Sequence, residues 1–219
     1  RLGGRRLPSM FLGGGTPPLM GPDPGAALIA DATTLFDPAP DLEITLEANP
    51  TSVEAARLAQ FRQAGVNRVS LGIQALDDAA LRFLGREHSA TQARAALESA
   101  RTLFDRITFD LIYARPEQTL AAWQSELQTA LALAADHISL YQLTIEPGTK
   151  FEALYRSHSF TLPDEDEAAA LYDATRAKTA AQGLGAYEVS NYARPGSESQ
   201  HNLTYWRYGD YLGLGPGAH

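Results

Sequence analysis

Short β-rich segments alternating with helical stretches constrain this chain more than any other feature of its sequence. Apolar, β-favouring runs at Ser9 to Leu12, Leu42 to Glu47, Arg68 to Gln74, Ile107 to Tyr113, His137 to Leu143 and Ala186 to Ser190 each predict a strand. The clearest helix between them is "TSVEAARLAQFRQAG", where Thr51 and Glu54 have capping-box spacing, Leu58 and Phe61 share a face, and Gly65 ends the pattern. Further helices are expected over Thr91 to Phe104, Leu120 to Ala134 and Glu165 to Gln182, the last preceded by Pro163 and an Asp164 cap. Parallel strands need a crossover between neighbours, so the alternation specifies βαβ units and a mainly parallel sheet. Strand starts fall roughly 25 to 40 residues apart, which suits an open doubly wound sheet or part of a (β/α) barrel. No second domain is needed, and the one linker-like stretch is "ARPGSESQ".

Composition narrows the function classes. The 219 residues are 44% hydrophobic, enough for the core of one such domain. A net charge of -8 with 18 Lys and Arg, nowhere in a long cluster, argues against a nucleic-acid partner. Only the opening "RLGGRR" is locally basic. No apolar run is long enough to span a bilayer and the start lacks a secretory pattern, so a cytoplasmic location is expected and membrane contact is not indicated. The absence of cysteine excludes disulfides and any thiolate-ligated metal or cluster within these residues. A start at Arg1 and a stop at "GLGPGAH" lead to the expectation of a piece cut at both ends.

Polar groups recur where the strands end. The first strand runs into Gly13, Gly14, Gly15 and Thr16; the second ends in Glu47 and the third in Gln74; Asp110 sits in the fourth; Gln142 and Thr144 close the fifth; Asn191 follows the sixth. Carboxyl ends of parallel strands line the ligand site in barrels and open sheets, so these residues are expected in one pocket. Three adjacent glycines imply that something approaches bare backbone, although a tight turn would use them too. The loop lacks the GxGxxG spacing and the lysine of a P-loop, so nucleotide phosphate is weakly supported, whereas a carboxylate or an amine fits.

Each candidate also has a plainer reading. Glu47 serves equally as a solvated strand end, and Gln74 as a cap for "DDAALRFLG". Asp110, between Phe109 and Leu111, needs a partner if buried, and Arg86 or a ligand ammonium or hydroxyl would supply it. Arg86 at the close of "LRFLGREHS" is otherwise a surface arginine. The five histidines form no HxH or HxxxH pair, so a multi-histidine metal site has no support. In "HNLTYW", His201 lies beside Tyr205 and Trp206, a set suited to a flat aromatic ligand or its metal, or simply to packing at the start of a strand.

The blocks "FLGGGTPPLM", "LEANP", "RVSLGIQALDDAALRFLGREHS", "FDLIYARPEQT", "LYQLTIEPGTKF" and "EVSNYARPGSESQHNLTYWRYGDYLGLGPGAH", in this order, resemble the radical-SAM family of oxygen-independent coproporphyrinogen III oxidase-like proteins. "HNLTYW" resembles its haem-chaperone branch. The resemblance covers nearly the whole chain from Phe11 onward, and it implies a partial (β/α)6 radical-SAM barrel of the TIM type, lacking its N-terminal strand and cluster loop. It also implies S-adenosylmethionine (SAM) at the carboxyl ends of the strands, with Gly14, Gly15 and Thr16 receiving its amino and carboxylate groups. Glu47, Gln74, Arg86 and Asp110 match the remaining polar contacts, Thr144 the adenine side, and His201 is the implied haem-binding residue. A sulfonium, an ammonium, a carboxylate and a ribose diol together call for carboxylates, an arginine and backbone donors, and this chain has all three.

The family's [4Fe-4S] cluster is held by a CxxxCxxC loop, which this chain lacks. A loop lying upstream of Arg1 is the expectation, with a cluster-free binding protein as the alternative. As they stand, these residues are not expected to cleave SAM, and an unpaired sheet edge is expected to favour poor solubility or dimerisation. Three functions follow: a haem chaperone that passes haem to an acceptor protein, an oxygen-independent coproporphyrinogen III oxidase of porphyrin biosynthesis, and an unrelated phosphate-binding barrel enzyme. The lack of a Schiff-base lysine at any strand end counts against the last.

Overall fold

The computed structural model describes residues 4–14, 17–215 and 218, and the side chains of these apart from 19 and 52–56. Strands β1 (Arg6–Leu12), β2 (Asp37–Ala48), β3 (Arg68–Gln74), β4 (Arg106–Tyr113) and β5 (His137–Gln142) pair in chain order, all parallel. Between them run α1 (Pro22–Leu35), α2 (Ser52–Gln63), α3 (Asp78–Phe83), α4 (Ala90–Leu103) and α5 (Leu120–Leu133). After β5 come α6 (Lys150–Arg156) and α7 (Glu165–Ala181), then β6 (Gly185–Ala186), β7 (Asn191–Ala193) and α8 (Gln200–Trp206). The result is the expected α/β partial barrel of the TIM type, with β1 as its outermost strand at one edge among the described residues.

The sixth expected strand is the main correction. Residues 187 to 190 bend instead of extending, and two short strands form around them, β7 pairing antiparallel to both β5 and β6. Glu188 accepts the Ser190 N–H at 3.0 Å, a local side-chain bond that competes with a ladder. Helix α1 is not among the expected helices; its Pro22 stands in the first turn, where its missing N–H costs nothing. The Asp164 cap is present and is a full capping box with Glu167. The proposed Thr51–Glu54 box involves a side chain outside the described set.

Alternation along the strands separates two faces. Ile44 and Leu46, then Val69, Leu71 and Ile73, then Ile107, Phe109 and Leu111, and finally Ile138 and Leu140 are buried in one core with Leu58, Phe61, Leu97, Trp123, Leu127 and Leu171 of the helices. Trp123 anchors it, stacking on Tyr113 at 4.9 Å and donating from Nε1 to Thr175 Oγ1 at 2.7 Å. The intervening residues of the same strands, among them Glu43, Thr45, Glu47, Arg68, Ser70, Gly72, Thr108 and Asp110, share the opposite, polar face.

Toward the strand starts this polar face is plugged. Glu43 is fully buried, with Arg68 at 3.1 Å and Arg106 at 3.2 Å. Its Oε1 accepts the Gln200 N–H at 2.8 Å, which fixes the first turn of α8 against the sheet. His137 bridges Thr108 (2.6 Å) and Tyr187 (2.8 Å), and burial, helped by Arg68 and Arg106, pushes its pKa down to about 3, so the ring is neutral.

Candidate functional site

At the carboxyl ends of the strands the polar face is not plugged. Gly13 follows β1, and a Cβ there would stand 2.4 Å from the Phe11 ring and 2.9 Å from Glu47 Oε2, so no side chain fits without displacing both. Gly14, at φ +80°, donates its N–H to Glu47 Oε2 at 3.2 Å. Gly15 and Thr16 lie outside the described residues. Glu47 is therefore a half-buried carboxylate turned onto the glycine loop, not a solvated strand end.

One turn around the rim, Arg86 Nη2 donates to Asn49 Oδ1 (3.0 Å) and to the Gly72 carbonyl (3.2 Å). The guanidinium reaches this depth because Gly72 has no side chain: a Cβ there would meet Nη2 at 3.0 Å. Gln74, at φ +69°, donates from Nε2 to Asp110 Oδ2 at 2.7 Å. It does not cap α3, because Asp77 does. Asp110 thus receives a side-chain hydrogen bond from Gln74, while Arg86 acts on it through charge.

The second Asp110 oxygen, Oδ1, is buried with no hydrogen-bond partner. Burial raises the carboxyl pKa to about 6 against the opposing pull of Arg86 and the Gln74 bond. Burial and the Asp110 charge together also raise the pKa of Tyr141. A carboxylate oxygen left without a partner, an arginine and a bare glycine loop at the strand ends make a donor and acceptor set for a small zwitterion carrying an ammonium group.

The remaining expected residues are not part of this hydrogen-bonded set. Thr144 is exposed and bonds to Glu146, apart from the hydrogen-bonded set. Gln142 reaches the Ala168 carbonyl of α7, on the side of the core. Asn191 opens β7 and accepts from Ser139. His201 lies in the first turn of α8, not at the start of a strand, with its ring stacked on Phe11 (4.0 Å, 15°) and edge-on to Tyr205. Burial lowers its pKa, and among the described residues its ring nitrogens make no hydrogen bond. Sequence reasoning missed Asn49, whose signal was its place directly after the second strand, and Gly72, a glycine inside a strand, which marks a close approach.

A parallel half-barrel whose strand ends carry two carboxylates, an arginine and a bare glycine loop belongs to the α/β barrels, with polar groups where such barrels hold their ligands. The Radical SAM superfamily model matches residues 2–130, more than half of the chain, and the chain belongs to that superfamily. It is 50% identical over its whole length to "Radical S-adenosyl methionine domain-containing protein 1, mitochondrial" of Mus musculus, covering 50% of that protein. It is 41% identical to "Heme chaperone HemW" of Escherichia coli, with 99% of this chain and 56% of that protein covered. The solved structure of coproporphyrinogen III oxidase (HemN) from Escherichia coli superposes with a TM-score of 0.75 at 26% identity, over 94% of this chain and 47% of that one. The sequence fits the HemW branch of the family. The chain spans about half the length of the curated relatives it matches.

Superfamily membership implies SAM and a [4Fe-4S] cluster. The orphaned Asp110 oxygen, the Arg86 seat and the Gly13 cradle fit SAM. The cluster does not fit these 219 residues, which contain no cysteine. Among the described residues no group of three or more His, Asp or Glu is placed to hold a metal ion, and no helix is long and apolar enough to cross a membrane.

Proposed function

We propose that this chain is the SAM-binding half-barrel of a haem chaperone, which binds haem as cargo and hands it to an acceptor protein. The observation that carries the SAM site is Asp110 Oδ1, a buried acceptor that the protein leaves unpaired. In this reading Asp110 and Glu47 face the ammonium and the ribose hydroxyls, while Arg86 takes the carboxylate. Gly14, Gly15 and Thr16 offer backbone, and Thr144 borders the adenine. Bound SAM supplies a sulfonium whose reductive cleavage needs a low-potential cluster, with ligands outside these residues.

For haem the candidate is His201. Burial keeps its imidazole neutral, the form that ligates iron, and Phe11 fixes the ring plane. Relatives named heme chaperone HemW, at 39 to 42% identity, support this reading. A cytoplasmic location, no second domain within these 219 residues, and no nucleic-acid partner belong to the same proposal.

The test is a crossed pair of variants with SAM and haem titrations. Asp110→Ala is expected to weaken SAM binding more than about tenfold while sparing haem, and His201→Ala to do the reverse. Unchanged SAM affinity in the Asp110 variant overturns the site. The likeness to HemN favours a second reading, oxidative decarboxylation of coproporphyrinogen III. Release of carbon dioxide from that substrate would establish it.

A further inference from the structure

We propose that Glu126 of α5, which lies outside the pocket, is a positioning residue for it: it holds the end of β3 in the shape that aims Gln74 at Asp110. The inference rests on reading that pocket as the SAM site.

The β3–β4 register carries the first half of the argument. Leu71 pairs with Phe109 but Gln74 with Leu111, so three steps along β3 match two along β4 and β3 holds one extra residue. Paired residues present their side chains on one face, and Leu111 is buried in the core. Gln74 nevertheless lies on the polar face, by the alternation that buries Ile73 on the other; the bulge offsets it against β4 and, with its left-handed φ of +69°, brings its amide to Asp110. A glutamine in that conformation persists only where its surroundings hold it.

The hold is visible two residues on. Ala75 N–H turns back to the Ile73 carbonyl at 2.9 Å, and Leu76 N–H donates to Glu126 Oε1 at 2.9 Å. Glu126 is itself fixed: Arg115 forks onto both its oxygens and Gln118 Nε2 donates to Oε2 at 3.3 Å. The Arg115 and Glu126 side chains are only 10% and 11% exposed, so the pair is rigid and little screened. Arg115 follows Ala114, at φ +55°, directly after β4. Glu126 thus ties the segment after β3 to α5 through the Leu76 N–H, and Arg115, just after β4, anchors that carboxylate together with Gln118.

The test compares variants by two readouts: pH titration of the Asp110 carboxyl carbon by NMR, and calorimetric titration with SAM. Glu126→Ala removes the acceptor for Leu76, frees Gln74, and is expected to raise the Asp110 pKa further and weaken SAM about tenfold. Arg115→Met removes one anchor of Glu126 but leaves it, still held by Gln118, to accept from Leu76, and is expected to move the Asp110 pKa and the SAM affinity clearly less than Glu126→Ala does. Should Glu126→Ala fail to fold, Glu126→Asp, one methylene too short to reach Leu76, is expected to raise the Asp110 pKa in the same way. Equal changes in the Glu126 and Arg115 variants, or none in the former, overturn the proposal. An Asp110 shift confined to the Glu126 variants of a protein that binds no SAM would uphold the brace and sink the SAM reading.

Discussion

Replacing Asp110 by Asn should make the protein more stable at neutral pH, by an amount set by how far burial has moved its carboxyl. The folded pKa is about 6 against 3.8 for the free group. Between these values the unfolded chain has lost the proton and the folded chain still holds it, so stability falls as pH rises and the full penalty stands above about 6. About two units at roughly 1.4 kcal/mol each give a penalty of about 3 kcal/mol. Asn keeps the shape and an acceptor for Gln74 but carries no charge to desolvate. His137 titrates in the opposite sense: its pKa lies near 3, so acid protonates the unfolded ring first and stability drops below about pH 6.5. That residue is common to both proteins and cancels in the difference. Urea denaturation of both at a series of pH values from about 4 to 8 should give a stability gap near zero at the acid end that widens to about 2–3 kcal/mol at neutrality. A gap that does not change with pH would refute the argument, since it would mean that Asp110 ionises alike in both states.

Two further substitutions probe the rim and the core. Gly72→Ala puts a Cβ 3.0 Å from Arg86 Nη2, the movable end of a long side chain, so the fold should hold while the guanidinium leaves Asn49; SAM titration should show affinity falling about tenfold, and parental affinity would count against the Arg86 seat. Trp123→Phe removes the 2.7 Å bond to Thr175 and part of a fully buried ring, so urea denaturation should register a loss of about 2–4 kcal/mol, and less than about 1 would mean that the core closes over the gap.

Much of this architecture was legible because local and long-range signals agreed. The third strand was read to its exact ends, and α7 carries the Asp164 cap that its sequence announces, since a short polar side chain before an apolar period has few other uses. The stretch from Ala186 to Ser190 misled because its apolar content is spent on one bend: Tyr187 leaves the strand pattern to hold His137 and Asn202, a choice fixed by residues roughly 15 and 50 positions away. Helix α8 was missed for a related reason. Its cap Ser199 and its anchor Glu43 are 156 positions apart, and only the folded sheet brings them together.

Strand-end position alone selected too many site residues, and the structure separates them by a criterion the sequence does not carry. Gln142 and Asn191 are polar and sit at strand ends, but each is satisfied inside the protein, by Ala168 and by Ser139. Glu43 is more deeply buried than Asp110, but two arginines and the α8 backbone meet its charge. Asp110 alone among these keeps a buried oxygen that neither a hydrogen bond nor an ion pair answers. The polar face of the half-barrel thus divides along the strand direction. Toward the strand starts charge is neutralised within the protein and serves to fix α8, while toward the strand ends the valences of Asp110 remain open at a cost in stability. An unmet buried carboxylate is retained where a ligand completes it, which is why the stabilising Asp110→Asn change should also be the one that loses SAM.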